Sequence, residues 1–430
     1  MREPIFFRRD DTLTLEQARY WKNLLYRVVK IGTELEVAPP KGVKRPIFEE
    51  AVREAMAPSG SLESLGRYGV LNVQTEHCGI EVQIIGRHPY FWALREQYTY
   101  ILATLDRLGG RVRPTCGLHF HILTPSLNEP VPEIVLANLW NLTRRYAPEL
   151  KFLTSGGEKR EALCRRRNHN SHLEMVKLTP GTLSMAAIQQ HLRESRIVPE
   201  HQNFLNLEHL GFPEEGGVLP FHLEFRFPDM DLSPTSVTAK TFLFLAMVLK
   251  AVDLSRYGII HVGTMTTWER KKEILNRLSN NDGNLATSDT SQVTDEMIEE
   301  LRVGCRELLD LLAPAFDRFE DNPALEVLHV LAETPISLLR VSGRDWEEIE
   351  RLLAARADQG TDPLDEIDHR LMRCIELLEW DGFPDAKAWG WRAAWEFQLT
   401  PQELQRRLDK LDRLRGLRWD PRLGTYQFTS

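Results

Sequence analysis

Two histidines spaced two residues apart, His119 and His121, are the first residues of this chain whose spacing could do chemistry. They lie in the apolar, strand-like run 116–122. Because side chains alternate along a strand, both imidazoles should project from one face, and Leu118 and Phe120 from the other. Such a pair can bind a transition metal together, or one ring can bind a metal while the other donates to a phosphate. A purely structural pair is the third interpretation.

Two carboxylates show the same spacing in the predicted strand 31–37. Glu34 and Glu36 should share one face, opposite Leu35 and Val37. Like charges repel, so either water solvates this face or a hard divalent cation such as Mg²⁺ or Mn²⁺ lies between the carboxylates. The motif by itself is also typical of a half-exposed strand.

The next acidic pair, Glu76 and Glu81, is separated by an odd interval, so on one regular strand the two side chains would face opposite ways. A β-bulge at Gly79 would return both carboxylates to one side. In the alternative, Glu81 and Gln83 face the site and Glu76 is an edge or turn residue.

A carboxylate and a guanidinium, Glu224 and Arg226, alternate with apolar residues in the predicted strand 221–227. They could be cross-strand salt-bridge partners. In a phosphoryl-transfer site the same pair would supply a metal ligand and a planar donor for phosphate. The basic segment with Arg165 and Arg167 could add cations for a nucleotide, although such a segment is also typical of a solvated loop.

Composition restricts the class of protein. At 430 residues the chain exceeds the roughly 250–300 residues at which one core stops growing, so we expect two domains, or one large domain with an appendage. A net charge of −8 argues against a broad nucleic-acid or acidic-membrane surface. Five cysteines with no Cys-x-x-Cys pair argue against a disulfide framework and indicate a reducing, cytoplasmic location. We expect neither a signal peptide nor a membrane span.

Hydrophobic periodicity and turn residues predict an α+β fold: a curved antiparallel β-sheet with catalytic residues on its concave face, helices on the other face, and a mainly helical C-terminal region. The predicted strands are 31–37, 116–122 and 221–227, together with a pair of strands, or one long strand with an irregularity, within 70–85. The predicted helices are one before residue 30 and then 45–56, 89–108, 132–146, 185–193, 234–255, 294–319, 322–331, 345–355, 363–379 and 401–413.

The order of these motifs resembles the amidoligase family of the glutamine synthetase and glutamate-cysteine ligase superfamily. The motifs are Gly-Thr-Glu-Leu-Glu, Glu-x-x-x-x-Glu, Cys-Gly-Leu-His-Phe-His, Asn206 in Asn-Leu-Glu-His-Leu, and Glu-Phe-Arg-Phe-Pro-Asp from Glu224 to Asp229. The resemblance covers residues 31–254. It implies a catalytic domain over residues 1–275. Beyond about residue 276 the sequence is nearly all helical in pattern and departs from the family, so we expect a helical accessory region over 276–430.

The resemblance also implies residue roles and a reaction. Two metal ions, Mg²⁺ or Mn²⁺, would be held by Glu34, Glu36, Glu76, Glu81, His119 and Glu224. ATP would be contacted by His121, Arg226, Asn206, Arg165 and Arg167, and Arg226 and Glu224 would be the catalytic pair. A small-molecule or peptide carboxylate would attack ATP to give an acyl phosphate, which an amine would convert to an amide.

Two other functions remain open from the residues alone. A zinc-dependent hydrolase could use the pair His119 and His121, although carboxylates outnumber the softer ligands and suit hard cations better. A non-enzymatic relative could bind a nucleotide or a peptide and use the helical region as a partner surface. Self-association into a homo-oligomer is also left open.

Overall fold

The structure is a computed structural model. It describes residues 5–7, 12–56, 69–76, 78–86, 90–113, 116–127, 131–156, 205–206, 219–261, 294–319, 322–358, 367–368, 371, 398–404, 406–408, 417–420 and 425–428. The predicted helix 185–193, most of the predicted helix 363–379 and part of 401–413 fall outside these residues, as does the basic segment around Arg165.

The described strands form one antiparallel sheet of six strands in the order β3-β4-β2-β5-β7-β6, and two small two-stranded sheets, β1 with β8 and β9 with β10. Their bounds are β1 Ile5–Phe7, β2 Lys30–Val37, β3 Val70–Thr75, β4 Ile80–Gly86, β5 Leu118–Leu127, β6 Leu205–Asn206, β7 Leu219–Phe225, β8 Ile259–His261, β9 Leu417–Asp420 and β10 Thr425–Phe428. The four strands predicted to carry ionisable residues, β2, β4, β5 and β7, are consecutive in the large sheet.

The described helices follow the predicted ones closely. Their bounds are α1 Leu15–Val28, α2 Arg45–Met56, α3 Phe91–Arg107, α4 Glu133–Arg145, α5 Ala147–Leu153, α6 Pro234–Leu254, α7 Asp295–Phe316, α8 Ala324–Glu333, α9 Ile336–Val341 and α10 Trp346–Ala357. Sequence reasoning missed α5 and α9, because helices of 7 and 6 residues are too short to show a helical period. Capping boxes start α1 at Thr14 and α10 at Asp345.

Helix α6 is the centre of the hydrophobic core. It is apolar on all sides and nearly every residue is buried, as expected for a helix surrounded by other elements. One face of the large sheet packs on it through Phe244, whose ring lies 4.4 Å from that of Phe225 and 5.0 Å from that of Phe120. The alternate residues of β2, β5 and β7 therefore project away from the core.

The N-terminus of α6 is held by buried polar contacts. Asp231 accepts hydrogen bonds from the Ser233 amide at 2.6 Å and from Lys240 Nζ at 2.5 Å, and the side chains of Asp231 and Lys240 are fully buried. Glu350 of α10 accepts a hydrogen bond from Thr235 Oγ1 at 2.6 Å. The helices after residue 294 thus pack directly on the helix behind the sheet.

The fold is α+β, as predicted: an antiparallel sheet with substantial helices. The concavity of the ionisable face and the division after residue 275 remain predictions. Among the residues that the structure describes, no helix combines the length and the apolar character needed to cross a bilayer.

The buried ion pair between Asp231 and Lys240, at the N-terminal end of α6, gives a test of the fold. Replacing Lys240 by Met should lower the free energy of unfolding by about 3–5 kcal/mol, because the charge of Asp231 would stay buried without its cation. Urea denaturation measures this loss. The matched control is Arg351→Met, at an exposed ion pair of α10, which should leave the midpoint unchanged. An equal midpoint for both variants would contradict the assignment of Lys240 to the core.

Candidate active site

The strand register brings the predicted residues together on the face away from α6. Strands β4, β2, β5 and β7 are neighbours, so residues far apart in sequence become cross-strand partners. Three pairs result: Glu34 with His119, Glu36 with Glu81, and His121 with Glu224. The prediction that these residues share one face is therefore consistent with the register of every strand that carries them.

The first converging group consists of Glu34, His119 and Glu224, whose ligand atoms lie within 4.8 Å of one another. His119 Nδ1 lies 2.8 Å from Glu34 Oε2 and 3.4 Å from Glu224 Oε1. His119 and Glu224 are each 1% exposed, so water cannot solvate their charges fully. This group offers two carboxylates and one imidazole to a single point.

The second group consists of Glu36, Glu81 and His119, again within 4.8 Å. Glu36 is buried and accepts hydrogen bonds from the Gly117 amide and, at 3.5 Å, from Cys78 Sγ. The side chain of His119 lies between the two groups. Its Nδ1 atom is on the side of the first group, and its Nε2 atom is 3.7 Å from Glu36 Oε1 of the second group.

Glu81 is oriented by two amides. Gln74 Nε2 and Gln83 Nε2 each donate to Glu81 Oε1 at 2.9 Å, so both hydrogen bonds engage the same oxygen. The amides thereby restrict the rotation of the carboxylate and leave Oε2 as the oxygen without these two donors. The sequence interpretation in which Glu81 and Gln83 face the site matches this geometry.

Burial and charge perturb the two carboxylates in opposite directions. Burial, and after it the nearby charge of Glu34, raises the pKa of Glu81 to about 7. Burial also acts to raise the pKa of Glu34, but the hydrogen bond with His119 and the proximity of His121 outweigh it and hold that pKa well below its usual range. Repulsion between the crowded carboxylates therefore makes their ionised forms unfavourable on this face unless a positive charge lies nearby.

The donor set fits a hard divalent cation. His119 Nε2 is buried and has no hydrogen-bond partner, which is expensive for a polar atom unless it binds something. Gly117 leaves room beside it: a Cβ at this position would lie 2.8 Å from His119 Nε2 and 3.0 Å from Glu36 Oε2. Carboxylate oxygens with a single imidazole suit Mg²⁺ or Mn²⁺ better than softer metals.

His121 has a partner that sequence reasoning missed. Its Nδ1 atom lies 2.8 Å from His222 Nε2, and its Nε2 atom lies 3.3 Å from Glu34 Oε1, outside good hydrogen-bond geometry. A Cβ on Gly32 would come within 2.9 Å of His121 Cβ, so the glycine makes room for the ring. His222 is two residues from Glu224, and this even spacing along a strand was the sequence feature that could have placed His222 on the same face.

Arg226 lies beside the first group, where its Nη1 atom donates a hydrogen bond to Glu224 Oε1. The two residues therefore form a salt bridge with each other, two residues apart along the chain and not across two strands. The guanidinium side chain is 24% exposed whereas Glu224 is 1% exposed, so the cation can reach the open side of the site.

The odd interval between Glu76 and Glu81 has a different cause from the bulge considered at Gly79. The two glutamates lie on opposite arms of a hairpin, in which Glu76 and Gly79 exchange backbone hydrogen bonds of 2.9 and 3.2 Å. The register shift of β3 against β4 occurs between Val70 and Asn72 instead. The bulge prediction at Gly79 is therefore wrong, because a turn and not an extra residue changes the parity.

Gly79 is required by close packing, since a Cβ there would lie 2.1 Å from the Val37 carbonyl oxygen. Glu76 is half-buried at the end of the hairpin, and neither converging group includes it. Its assignment as a metal ligand therefore stays a prediction.

Three predicted nucleotide contacts are only partly placed. Asn206 lies on β6 opposite Glu224 in the register, which puts its backbone at the edge of the site, while its side chain lies outside the described part. Arg165 and Arg167 fall outside the described residues. Their roles remain predictions.

No protein-family model and no curated protein sequence matches the chain. Among solved structures, the crystal structure of the complex between the prokaryotic ubiquitin-like protein Pup and its ligase PafA is similar, with a TM-score of 0.34 and 12% sequence identity. The match covers 79% of this chain and 71% of that chain.

The space beside Gly117 gives a test of the cation site. Gly117→Ala should weaken Mn²⁺ binding at least about tenfold, because the new methyl group would occupy the space between His119 Nε2 and Glu36 Oε2. Isothermal titration calorimetry measures the affinity. Gly343→Ala is the control: Gly343 has a φ of +93° and nothing within 4 Å of its Cβ position, so that variant should lose stability without losing affinity. Unchanged Mn²⁺ affinity in Gly117→Ala would contradict the site.

Proposed function

We propose that this protein is an ATP- and magnesium-dependent carboxylate-amine ligase, a member of the amidoligase family that its motifs resemble. The observation that carries the proposal is the convergence of Glu34, Glu36, Glu81 and Glu224 around one buried imidazole, with a guanidinium beside them. A buried face with this much negative charge needs cations. Nucleotide phosphates, which carry more negative charge, would reach the face together with those cations.

Two cation positions follow from the two groups. Glu34 and Glu224 would hold one, and Glu36 and Glu81, with Glu76 as the further proposed ligand, would hold the other; His119 belongs to both groups. When bound, the metals would neutralise negative charge on the phosphates of ATP. The remaining chemistry is assigned to the residues of the chain.

Arg226 is assigned the transferred phosphoryl group. A substrate carboxylate oxygen would attack the γ-phosphorus of ATP as the bond to ADP breaks, giving an acyl phosphate. An amine would then attack the acyl carbon, phosphate would leave, and the amine nitrogen would lose a proton to give the amide. A planar guanidinium held beside Glu224 suits the in-plane oxygens of a phosphoryl group in transfer.

His121 and its neighbours would contact the nucleotide. His121 lies one cross-strand step from Glu224, so its ring is within the same face as Arg226. Asn206, Arg165 and Arg167 are retained as further nucleotide contacts. The substrates are assigned as a small-molecule or peptide carboxylate and an amine, and residues 276–430 as an accessory region that packs behind the catalytic sheet, with self-association left to measurement.

The zinc-hydrolase alternative has less support in the geometry. It requires both imidazoles at one metal, but among the described residues no converging group contains both His119 and His121. The Nδ1 atom of His121 is instead in contact with His222. The carboxylate-rich groups fit the ligase better.

The role of Arg226 can be tested by ADP release. With ATP, Mg²⁺ and a pool of amino acids and short peptides, the wild-type protein should release ADP in a substrate-dependent manner. Arg226→Ala and Glu224→Gln should each reduce the rate by about 10²–10³-fold, because a donor to developing charge or a cation ligand is lost. Arg226→Lys should recover only part of the rate, since an ammonium cannot donate from a planar fork.

The matched control is Arg306→Ala, which removes an arginine from an exposed ion pair on α7. Its rate should equal that of the wild type. A wild-type rate in Arg226→Ala would remove the proposed phosphate role, and ATP binding with no turnover across the substrate pool would favour the non-enzymatic relative.

A further inference from the structure

A row of neutral amides borders Glu81 on the same side of the sheet as the two converging groups. In the register Gln74 of β3 pairs with Glu81 of β4. Asn72 pairs with Gln83, which also pairs with Glu34 of β2. These amides therefore lie between the crowded carboxylates and the β3 edge of the sheet. The roles assigned above to ligands and nucleotide contacts include none of them.

Two hydrogen bonds converge on a single oxygen of Glu81. Gln74 Nε2 and Gln83 Nε2 each lie 2.9 Å from Glu81 Oε1. Asn72 Nδ2 donates to Gln74 Oε1 at 3.2 Å, and this contact directs the Nε2 atom of Gln74 toward Glu81. One carboxyl oxygen carries at most one hydrogen, so at least one of the two glutamines donates in either protonation state of Glu81. Both donate when Glu81 is a cation ligand, because a ligating carboxylate is ionised.

The number of lone pairs decides which oxygen of Glu81 can bind a cation. Each carboxylate oxygen has two lone pairs, so two amide donors engage both lone pairs of Oε1 and leave Oε2 for a metal. A rotation of the carboxylate that brought both of its oxygens to one cation would break both hydrogen bonds. Glu81 is buried, so water is poorly placed to replace the lost donors. The amides therefore favour binding through one oxygen.

Divalent cations differ in how they use a carboxylate. Ca²⁺ takes roughly six to eight oxygen ligands in a flexible arrangement and often binds both oxygens of one carboxylate, whereas Mg²⁺ requires near-octahedral geometry and shorter bonds. We propose that Gln74 and Gln83 are specificity-determining residues, which restrict Glu81 to binding through one oxygen and thereby favour Mg²⁺ or Mn²⁺ over Ca²⁺. The proposal rests on the cation position assigned to Glu36 and Glu81 in the proposed function, and on no step of the reaction.

Calorimetric titration with Mn²⁺ and with Ca²⁺ tests the proposal without turnover, and Glu81→Gln identifies the binding event that belongs to this position. Gln74→Met and Gln83→Met nearly keep the side-chain length and remove the amide, so each frees a lone pair of Glu81 Oε1. We expect each variant to bind Mn²⁺ about tenfold more weakly, the scale of losing a partner of a metal ligand, and to bind Ca²⁺ as tightly as the wild type or more tightly. The ratio of Ca²⁺ affinity to Mn²⁺ affinity should therefore rise about tenfold.

The control Gln97→Met removes a glutamine amide of α3 that donates to the Ile85 carbonyl oxygen at 3.1 Å, and its affinity ratio should equal that of the wild type. Gln74 is exposed, so Gln74→Met tests the ratio without disturbing the core. Mn²⁺ and Ca²⁺ affinities that fall equally in Gln74→Met and Gln83→Met would show that the amides only hold Glu81 in place and would overturn the inference alone. A wild-type protein that binds neither cation would instead overturn the proposed cation position, and the inference with it.

Discussion

Repulsion between buried carboxylates is the constraint on which the rest of this structure depends. Glu34, Glu36, Glu81 and Glu224 converge on His119, and most of their charge is hidden from water. Protein dipoles relieve part of the cost: Glu36 accepts from the Gly117 amide, Glu81 from two glutamine amides, and Glu224 from Arg226. The pKa of Glu81, raised to about 7, shows that the relief is incomplete. Bound cations are the simplest completion, and under the proposed function they would give the site its chemistry.

The fold accommodates the crowded carboxylates because its hydrophobic and ionisable residues lie on opposite faces of one sheet. The apolar face packs on α6, where Phe244 contacts Phe120 and Phe225. The N-terminus of α6 is itself tied to α10 through Glu350. The helices after residue 294 therefore stabilise the helix that supports the site, although they supply no residue to either group of ligands among the described residues.

Alternation along single strands was enough to predict which residues share a face. It identified Glu34 with Glu36, His119 with His121, and Glu224 with Arg226, because a strand has a period of two whatever its neighbours are. Helix bounds such as Arg45–Met56 were also predictable from periodicity and turn residues.

The features that could not be predicted from the sequence depend on how strands pair, and the local spacing of residues does not encode that pairing. A hairpin turn lies between Glu76 and Glu81, so the faces of the sheet on which they lie cannot be deduced by counting along one strand. Counting in that way led to the prediction of a bulge at Gly79, where the structure has a turn. The contact between His121 and His222 is diagonal across two strands that are about a hundred residues apart, and only the register reveals it. Short helices such as Ile336–Val341 lack the length to show a period.

The most direct test of the account is a crystal structure with Mn²⁺ and a non-hydrolysable ATP analogue, in which anomalous scattering locates the metal. We expect two manganese peaks on the face of β2, β4, β5 and β7, one beside Glu34 and Glu224 and one beside Glu36 and Glu81, with the terminal phosphate next to Arg226. Manganese and nucleotide bound elsewhere on the protein, with this face free of both, would contradict it.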